Sequence, residues 1–463
     1  MKLKIKINYY ILGIIPVYFL LSINPIIGLL GMILLITFGG YKSVEFQVIN
    51  LIFQNFFIGL FSPNIDLILH FKFLHILNYL IPVFSVLIFI FNEKKSIILS
   101  EYTNWKSIIT ILFLLILFLI LGLLFYKSIS SLIYFRLFSL PFIFYYLGLF
   151  LAKKNNTNVI SQFNNILFFS ISILAISAIV GRFSSYFMSL VNDDFYFSLK
   201  YERPLTVSEI REAYRSKFLN WNFFNLTTFR YGSLLKNIIS YSYVMMISIT
   251  YGLVLKIKKI QYFLIVFVIV LLISFSKGAI IFSILTVFIV VFNRNVLKKN
   301  RVSIVETIIL LIPFWLLVIT VGYFSNNEHI IGFVSGFHRM MDNPFGNGLG
   351  FSGNLSPVRK LSVFGEELPF RGYWTRFYNG SESIIGVLFS SLGFFGFIYL
   401  GVLFTLIAKS KENLLKSENF ILLFPLIMVF QGIFQEEAFS PYALGFTMFI
   451  LGLYNGKNIR LNY

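Results

Sequence analysis

The sequence has no cysteine and only four histidines, at positions 70, 75, 329 and 338. Without cysteine there is no disulfide framework and no thiolate metal site. Four scattered imidazoles leave a zinc site without a ligand set. Charge is scarce too: charged residues are 12% of the chain against 58% hydrophobic, and mean hydropathy is +0.84. A soluble domain carries about twice that share of charge. There is no P-loop, no dinucleotide fingerprint and no Asp-x-Asp pair in a long cytoplasmic loop, which argues against a nucleotide-sugar enzyme of the usual cytoplasmic kind. No cleavable signal pattern opens the chain, because the run from Tyr9 to Leu21 leads through Asn24-Pro25 straight into another apolar run.

What is present is apolar sequence in repeated runs, many of them long enough to cross a hydrocarbon core of about 30 Å. Fourteen spans are expected, near 9–22, 26–40, 44–61, 68–91, 108–125, 132–151, 163–181, 236–255, 261–275, 278–292, 303–323, 384–408, 420–437 and 440–455. The fold class that follows is all-α: a polytopic integral membrane helical bundle of about 14 transmembrane helices (12–14) with two long outer loops. The chain divides into an N-terminal membrane bundle (1–181), a first long loop (182–235), central spans (236–324), a second long loop (325–383), and C-terminal spans with a tail (384–463).

The net charge of +19 would suggest nucleic acid in a soluble protein, but here it is first a matter of topology. With the N-terminus in the cytoplasm, the inner segments hold 21 basic residues against six acids, and everything else holds 17 against 13. Every short loop then obeys the positive-inside rule, and both termini are cytoplasmic. The basic excess suits anionic lipid headgroups, and no nucleic acid is needed to explain it.

The second long loop, Ser325 to Ser383, is the stretch around which the chain is organised. It carries five basic residues, five acids, two of the four histidines and a glycine-rich turn, Asn343-Pro344-Phe345-Gly346-Asn347-Gly348-Leu349-Gly350. Loops of this length are usually functional or disordered, and its aromatic and glycine content argues for order. The first loop contains Thr206-Val207-Ser208-Glu209, a capping-box pattern that predicts a short helix.

Several side chains are candidates, each with a plain structural alternative. Lys277, at the outer tip of a tight hairpin, contacts an anion or snorkels to the interface. Arg230 enters the span at 236–255 and grips a phosphate bidentately or simply anchors the interface. His338 and Arg339 precede the glycine turn. There Gly348 and Gly350 permit positive φ, so successive N–H groups form an anion nest or only a turn. His338 is a candidate base or a solvated loop histidine. Glu382 stands just before a wholly apolar span, where it accepts a proton or serves as a salt-bridged cap. Of Glu436 and Glu437, adjacent on one segment, at most one faces a cavity.

Taken together, Phe229-Arg230-Tyr231-Gly232, Ser276-Lys277-Gly278-Ala279, His338-Arg339 with Pro344 to Gly350, and Glu382 followed by Gly393-Phe394-Phe395-Gly396 resemble the superfamily of O-antigen polymerases (Wzy type) and O-antigen ligases. The likeness runs from about residue 226 to 445. It implies a metal-independent membrane glycosyltransferase with no cofactor, working on undecaprenyl-diphosphate-linked oligosaccharides at the periplasmic face of the bacterial inner membrane. Expected partners are those lipid-linked glycans, the bilayer and a chain-length regulator. Arg230, Lys277 and Arg339 would hold diphosphate, with His338, Gly348 and Gly350 in the binding region and Glu382 as base or acceptor orienter. The ligase pattern has a His-Asn pair where this chain has Glu382-Ser383, which favours a polymerase. Lys277 replaces an arginine common in the family, keeping charge but losing the bidentate fork. A ligase, a lipid-linked oligosaccharide flippase and a membrane scaffold are the alternatives.

Overall fold

The computed structural model describes residues 9–61, 77–92, 105–154, 158–201, 205–210, 231–255, 276–299, 302–325, 327–354, 356, 382–416 and 418–461. Among the described residues there are helices and turns and no strand. In chain order the helices are α1 (Tyr9–Ile23), α2 (Pro25–Thr37), α3 (Val44–Phe61), α4 (Leu77–Asn92), α5 (Trp105–Tyr126) and α6 (Ile129–Lys154). Then come α7 (Val159–Phe183), α8 (Ser185–Leu190), α9 (Asp193–Tyr201), α10 (Ile238–Val254), α11 (Lys277–Val291) and α12 (Ile304–Phe324). The last are α13 (Glu328–Asp342), α14 (Ile384–Leu392), α15 (Phe395–Asn413), α16 (Leu423–Gln431) and α17 (Phe446–Leu461).

Helices occupy the described apolar runs, and their ends follow local chemistry. Asn24 caps α2 by accepting the N–H groups of Ile26 and Ile27 at 2.9 and 3.3 Å, with Pro25 at the first helical position, where its missing N–H is harmless. Asn237 caps α10 in the same way. The capping box at 206–209 forms: Glu209 accepts the Thr206 N–H at 2.7 Å while Thr206 Oγ1 accepts the Glu209 N–H at 3.3 Å, and residues 207–210 are helical.

Six described helices are long and apolar enough to cross a membrane, and five more are apolar but shorter, so the chain is a helical membrane protein. The structure does not carry the count of fourteen. The run at 26–40 yields only 13 helical residues. That at 384–408 breaks at Gly393, whose φ of +60° favours glycine, giving a nine-residue helix before the break. The run at 420–437 ends its helix at Gln431, which leaves Glu436 outside the span in a short 3-10 turn, Glu436–Phe439. The span at 261–275 and most of the loop after 356 lie outside the described residues. Nor are the two segments expected as long loops merely loops: α8 and α9 lie in the first, and α13 fills the start of the second.

The chain forms two compact units. The first comprises Met1–Glu93, Tyr146–Ser283 and Gly452–Tyr463. Its centre is α10, nearly all of whose side chains are buried, as a helix apolar on every face requires. Tyr251 donates to Asn164 Oδ1 at 2.6 Å and meets the Tyr454 hydroxyl at 2.9 Å, satisfying polar atoms inside that core.

The second unit comprises Lys94–Tyr145 and Ile284–Leu451. It is built on the close packing of α13 against α14. Gly332 and Gly336 stand one helical turn apart and face Gly386. A Cβ on Gly336 would lie 2.3 Å from the Gly386 carbonyl oxygen, and one on Gly386 would lie 2.3 Å from that of Gly332. This is the small-xxx-small contact that lets two backbones touch in a membrane protein. Gly336→Val therefore forces the helices apart and should destabilise the unit by about 1–3 kcal/mol. A thermal melt of the detergent-solubilised protein checks this, and an unchanged midpoint would refute the contact.

Candidate functional site

In the second unit the glycine-rich turn is a clasp. Leu349 N–H donates to the Phe118 carbonyl at 3.0 Å, and Gly348 N–H donates to the Ser391 carbonyl at 3.0 Å. Tyr126 donates its hydroxyl to the Asn347 carbonyl at 2.9 Å, and Ser131 donates to that of Leu349 at 2.7 Å. Gly348 and Gly350 hold φ of +87° and +89°, and a Cβ on either would collide with α5 or α6. The positive φ expected from the sequence is there. The N–H groups of Gly346, Gly348 and Leu349, however, are donated to protein carbonyls. The turn therefore binds helices with these N–H groups, in keeping with the second of the two readings that the sequence left open.

The same clasp joins the two glycine motifs. Phe394 N–H donates to the Pro344 carbonyl at 2.9 Å, and a Cβ on Gly393 would lie 2.0 Å from that oxygen. Asn347 Nδ2 donates to the Ser390 carbonyl at 2.9 Å. Gly393 to Gly396, expected inside a continuous span, is the break between α14 and α15 against which the turn docks.

Around this clasp lie the chemical side chains. Arg339, in the last turn of α13, is buried, and its guanidinium lies 5.3 Å from the Phe351 ring centre. Its neighbour His338 is exposed. Glu382 is half-buried, one residue before the true N-cap of α14. That cap is Ser383, which accepts the Gly386 N–H at 3.0 Å and donates to the Gly432 carbonyl at 3.2 Å. Glu382 Oε2 lies 2.9 Å from His329 Nδ1, an ion pair when the imidazole is protonated. His329 was not among the sequence candidates. No local pattern ties it to Glu382; the packing of α13 on α14 does.

Beneath the end of the turn is Glu436, 8% exposed. The Tyr134 hydroxyl hydrogen-bonds its carboxyl, and the Asn354 N–H approaches Oε2 at 3.4 Å. Burial, reinforced by the charge of Glu437, pushes the Glu436 carboxyl from 4.5 up to about 7, against the lowering effect of hydrogen bonds from Tyr134 and from the backbone and side chain of Asn354. Glu437 is half-exposed, so one of the two acids is buried and the other is not, as helical geometry led one to expect. Because the folded-state value is raised, the stability linked to this group is full below pH 4.5 and is lost as pH rises through about 7. The shift amounts to about 3 kcal/mol. Glu436→Gln should remove that pH-dependent loss and melt higher than wild type at pH 8 but not at pH 4.5; equal pH profiles for the two proteins would contradict the assignment.

The first unit holds a second polar centre that the sequence reading missed. Lys236, 1% exposed, is ion-paired with Asp193, 0% exposed, and donates to the Val191 carbonyl at 2.6 Å. Tyr231 donates to the other Asp193 oxygen at 2.7 Å. Burial pulls the Asp193 carboxyl up and the Lys236 ammonium down, and each offsets the other's shift by its charge. Lys236 adopts φ of +58°, closing a turn that turns its side chain inward. The Asp193-Asp194 pair opening a helix was the available signal. Arg136, half-buried within α6, was likewise detectable as a charge in an apolar run.

Of the predicted residues, Arg339, His338, Gly348, Gly350 and Glu382 belong to the second unit. Lys277 belongs to the first and is exposed at the first position of α11, where a cation opposes the helix dipole. Arg230 lies outside the described residues. Among the described residues no cluster of three or more His, Asp or Glu side chains could hold a metal. No family model matches the chain, and no curated protein matches it either.

Proposed function

We propose that the chain is a membrane glycosyltransferase: a surface-polysaccharide polymerase of O-antigen type. It transfers a growing glycan from undecaprenyl diphosphate to a lipid-linked repeat unit at the periplasmic face of the inner membrane. The observation that carries the reading is the docking of Pro344-Phe345-Gly346 against Gly393. Two of the four motifs on which the resemblance rests are in physical contact, with Arg339 on α13 and Glu382 just before α14 beside that contact. The charge distribution supports a topology that alternates along the chain with both termini cytoplasmic. In that topology the α5–α6 connection, the glycine turn, the start of α14 and the turn at Glu436 all belong to the outer side.

In this reading Arg339 neutralises the leaving diphosphate, so no metal is needed. Glu382 orients the acceptor. Glu382→Gln keeps the shape but loses the charge, so it should reduce polymer strongly. A capping role alone would cost about 1 kcal/mol and leave polymer intact. The His329–Glu382 contact keeps a second reading in view, because it sets a histidine beside the position where the ligase pattern has one. The glycan of a strain lacking the chain separates the readings. A single repeat unit on the acceptor core means polymerase, whereas lipid-linked polymer with a bare core means ligase. Repeat units trapped in the cytoplasm mean flippase.

A further inference from the structure

We propose that Glu436, held by Tyr134 and Asn354 at the end of the glycine-rich turn, is the side chain that takes the proton from the acceptor sugar hydroxyl. This deepens the glycosyl-transfer reading and rests on it. A retained carboxylate needs a reason here. Glu436 is 8% exposed, yet its carboxyl hydrogen-bonds the Tyr134 hydroxyl and both the backbone and the side chain of Asn354, and among the described residues no lysine or arginine is recorded in an ion pair with it. Burying a carboxylate with that support is unfavourable, and glutamine would fill the same space and keep one acceptor oxygen without the charge.

The surroundings are built to hold this group where chemistry is expected. Gly353 has φ of +108°, and a Cβ there would lie 1.8 Å from the Tyr134 hydroxyl oxygen, so the loop backbone rests directly on the tyrosine. Phe351, two residues earlier, lies against the Arg339 guanidinium. The stretch 351–354 therefore joins the cation to the carboxyl. On the other side, Gly432 accepts from Ser383 at 3.2 Å, bringing in the start of α14 that carries Glu382. The titratable and charged groups on the elements around it include Tyr134 and Arg136 of α6, His329 and Arg339 of α13, Glu382, Tyr399 of α15, Glu437 and Tyr442. The 3.4 Å amide contact is at the outer limit of a hydrogen bond, so an acceptor hydroxyl competes well for the same oxygen. A carboxyl that titrates near neutrality is matched to taking a hydroxyl proton in the transition state.

The step balances as a displacement. The acceptor hydroxyl passes its proton to Glu436 as its oxygen bonds the anomeric carbon of the donor glycan. The bond from that carbon to the diphosphate oxygen breaks, and the electron pair leaves with the undecaprenyl diphosphate, whose charge Arg339 neutralises. Glu436 then releases the proton to water.

The test is polymerisation of purified lipid-linked repeat units by detergent-solubilised protein across pH 5 to 9 (roughly the window in which a carboxyl of this kind titrates), beside melting curves. Wild type should gain rate as pH rises through neutrality. E436Q should lose about 10²–10⁴-fold in rate and lose that rise, while melting no lower than wild type at alkaline pH. E436D should recover part of the rate. An E436Q protein that polymerises at near wild-type rate overturns the inference and leaves the glycosyltransferase reading standing. Wild type that makes no polymer overturns both. Should E436Q not fold, infrared spectra of wild type decide. The protonated-carboxyl band should disappear through neutral pH and shift on adding repeat-unit glycan, and a band insensitive to both refutes the proposal.

Discussion

Arg339→Ala should lower polymer formation by about 10²–10³-fold, the loss typical of removing one preorganised charge from a transition state. The side chain is buried against Phe351, inside the cluster that joins the glycine turn to α13. In such surroundings the attraction between a guanidinium and a developing diphosphate is stronger than in water. Because the residue is buried, its removal also strains the fold, so activity must be read beside stability. Arg339→Lys keeps the charge and most of the stem, and should recover the melting temperature more fully than the rate, because an ammonium cannot make the forked contact with phosphate. If the alanine variant melts lower but polymerises normally once folded, Arg339 is a packing residue.

The second large effect concerns the fold of the first unit. Asp193→Ala leaves the Lys236 ammonium buried without its carboxylate, held by the Val191 carbonyl at 2.6 Å and 5.9 Å from the Tyr196 ring centre. Breaking a buried pair in this way costs about 3–5 kcal/mol. It also removes the carboxylate that accepts from the Tyr231 hydroxyl. The turn at 191–193, which Asn192 ties to the end of α3 through the Gly59 carbonyl at 3.4 Å and the Leu60 carbonyl at 3.3 Å, should open, with little folded protein recovered. Replacing both charges, as Asp193→Leu with Lys236→Met, should restore much of the loss, since two apolar groups of similar size avoid the desolvation penalty altogether. Limited proteolysis and thermal melts measure both variants. A single mutant as stable as wild type would mean that the pair contributes nothing.

What could be read from the sequence was set by range. The membrane helices were visible because each announces itself over a dozen or more consecutive residues. Their crossing count was less visible. Gly393 looked like part of a continuous span until its positive φ and its contact with Pro344 showed a break. The turn at 343–350 was legible as a turn with positive φ at Gly348 and Gly350. What it binds was not, because its partners lie about 220 residues back, at Tyr126 and Ser131, or some 45 residues ahead, at Ser390 and Ser391. Glu382 was placed correctly at a helix start, but the cap is Ser383 and the ionic contact is His329, supplied by another helix. Glu436 seemed equivalent to Glu437 in sequence; only tertiary burial distinguishes them. Asp193 and Lys236 are 43 residues apart and each looked like an ordinary outer-loop charge.

The central claim is glycosyl transfer between lipid-linked oligosaccharides. Its most direct test is reconstitution of the purified chain in liposomes with undecaprenyl-diphosphate-linked repeat units and no other enzyme. The account predicts a ladder of lipid-linked glycans, each longer than the last by one unit, with undecaprenyl diphosphate released in step and the ladder lost in Arg339→Ala. Repeat units that stay single, or that only move across the bilayer, would contradict it.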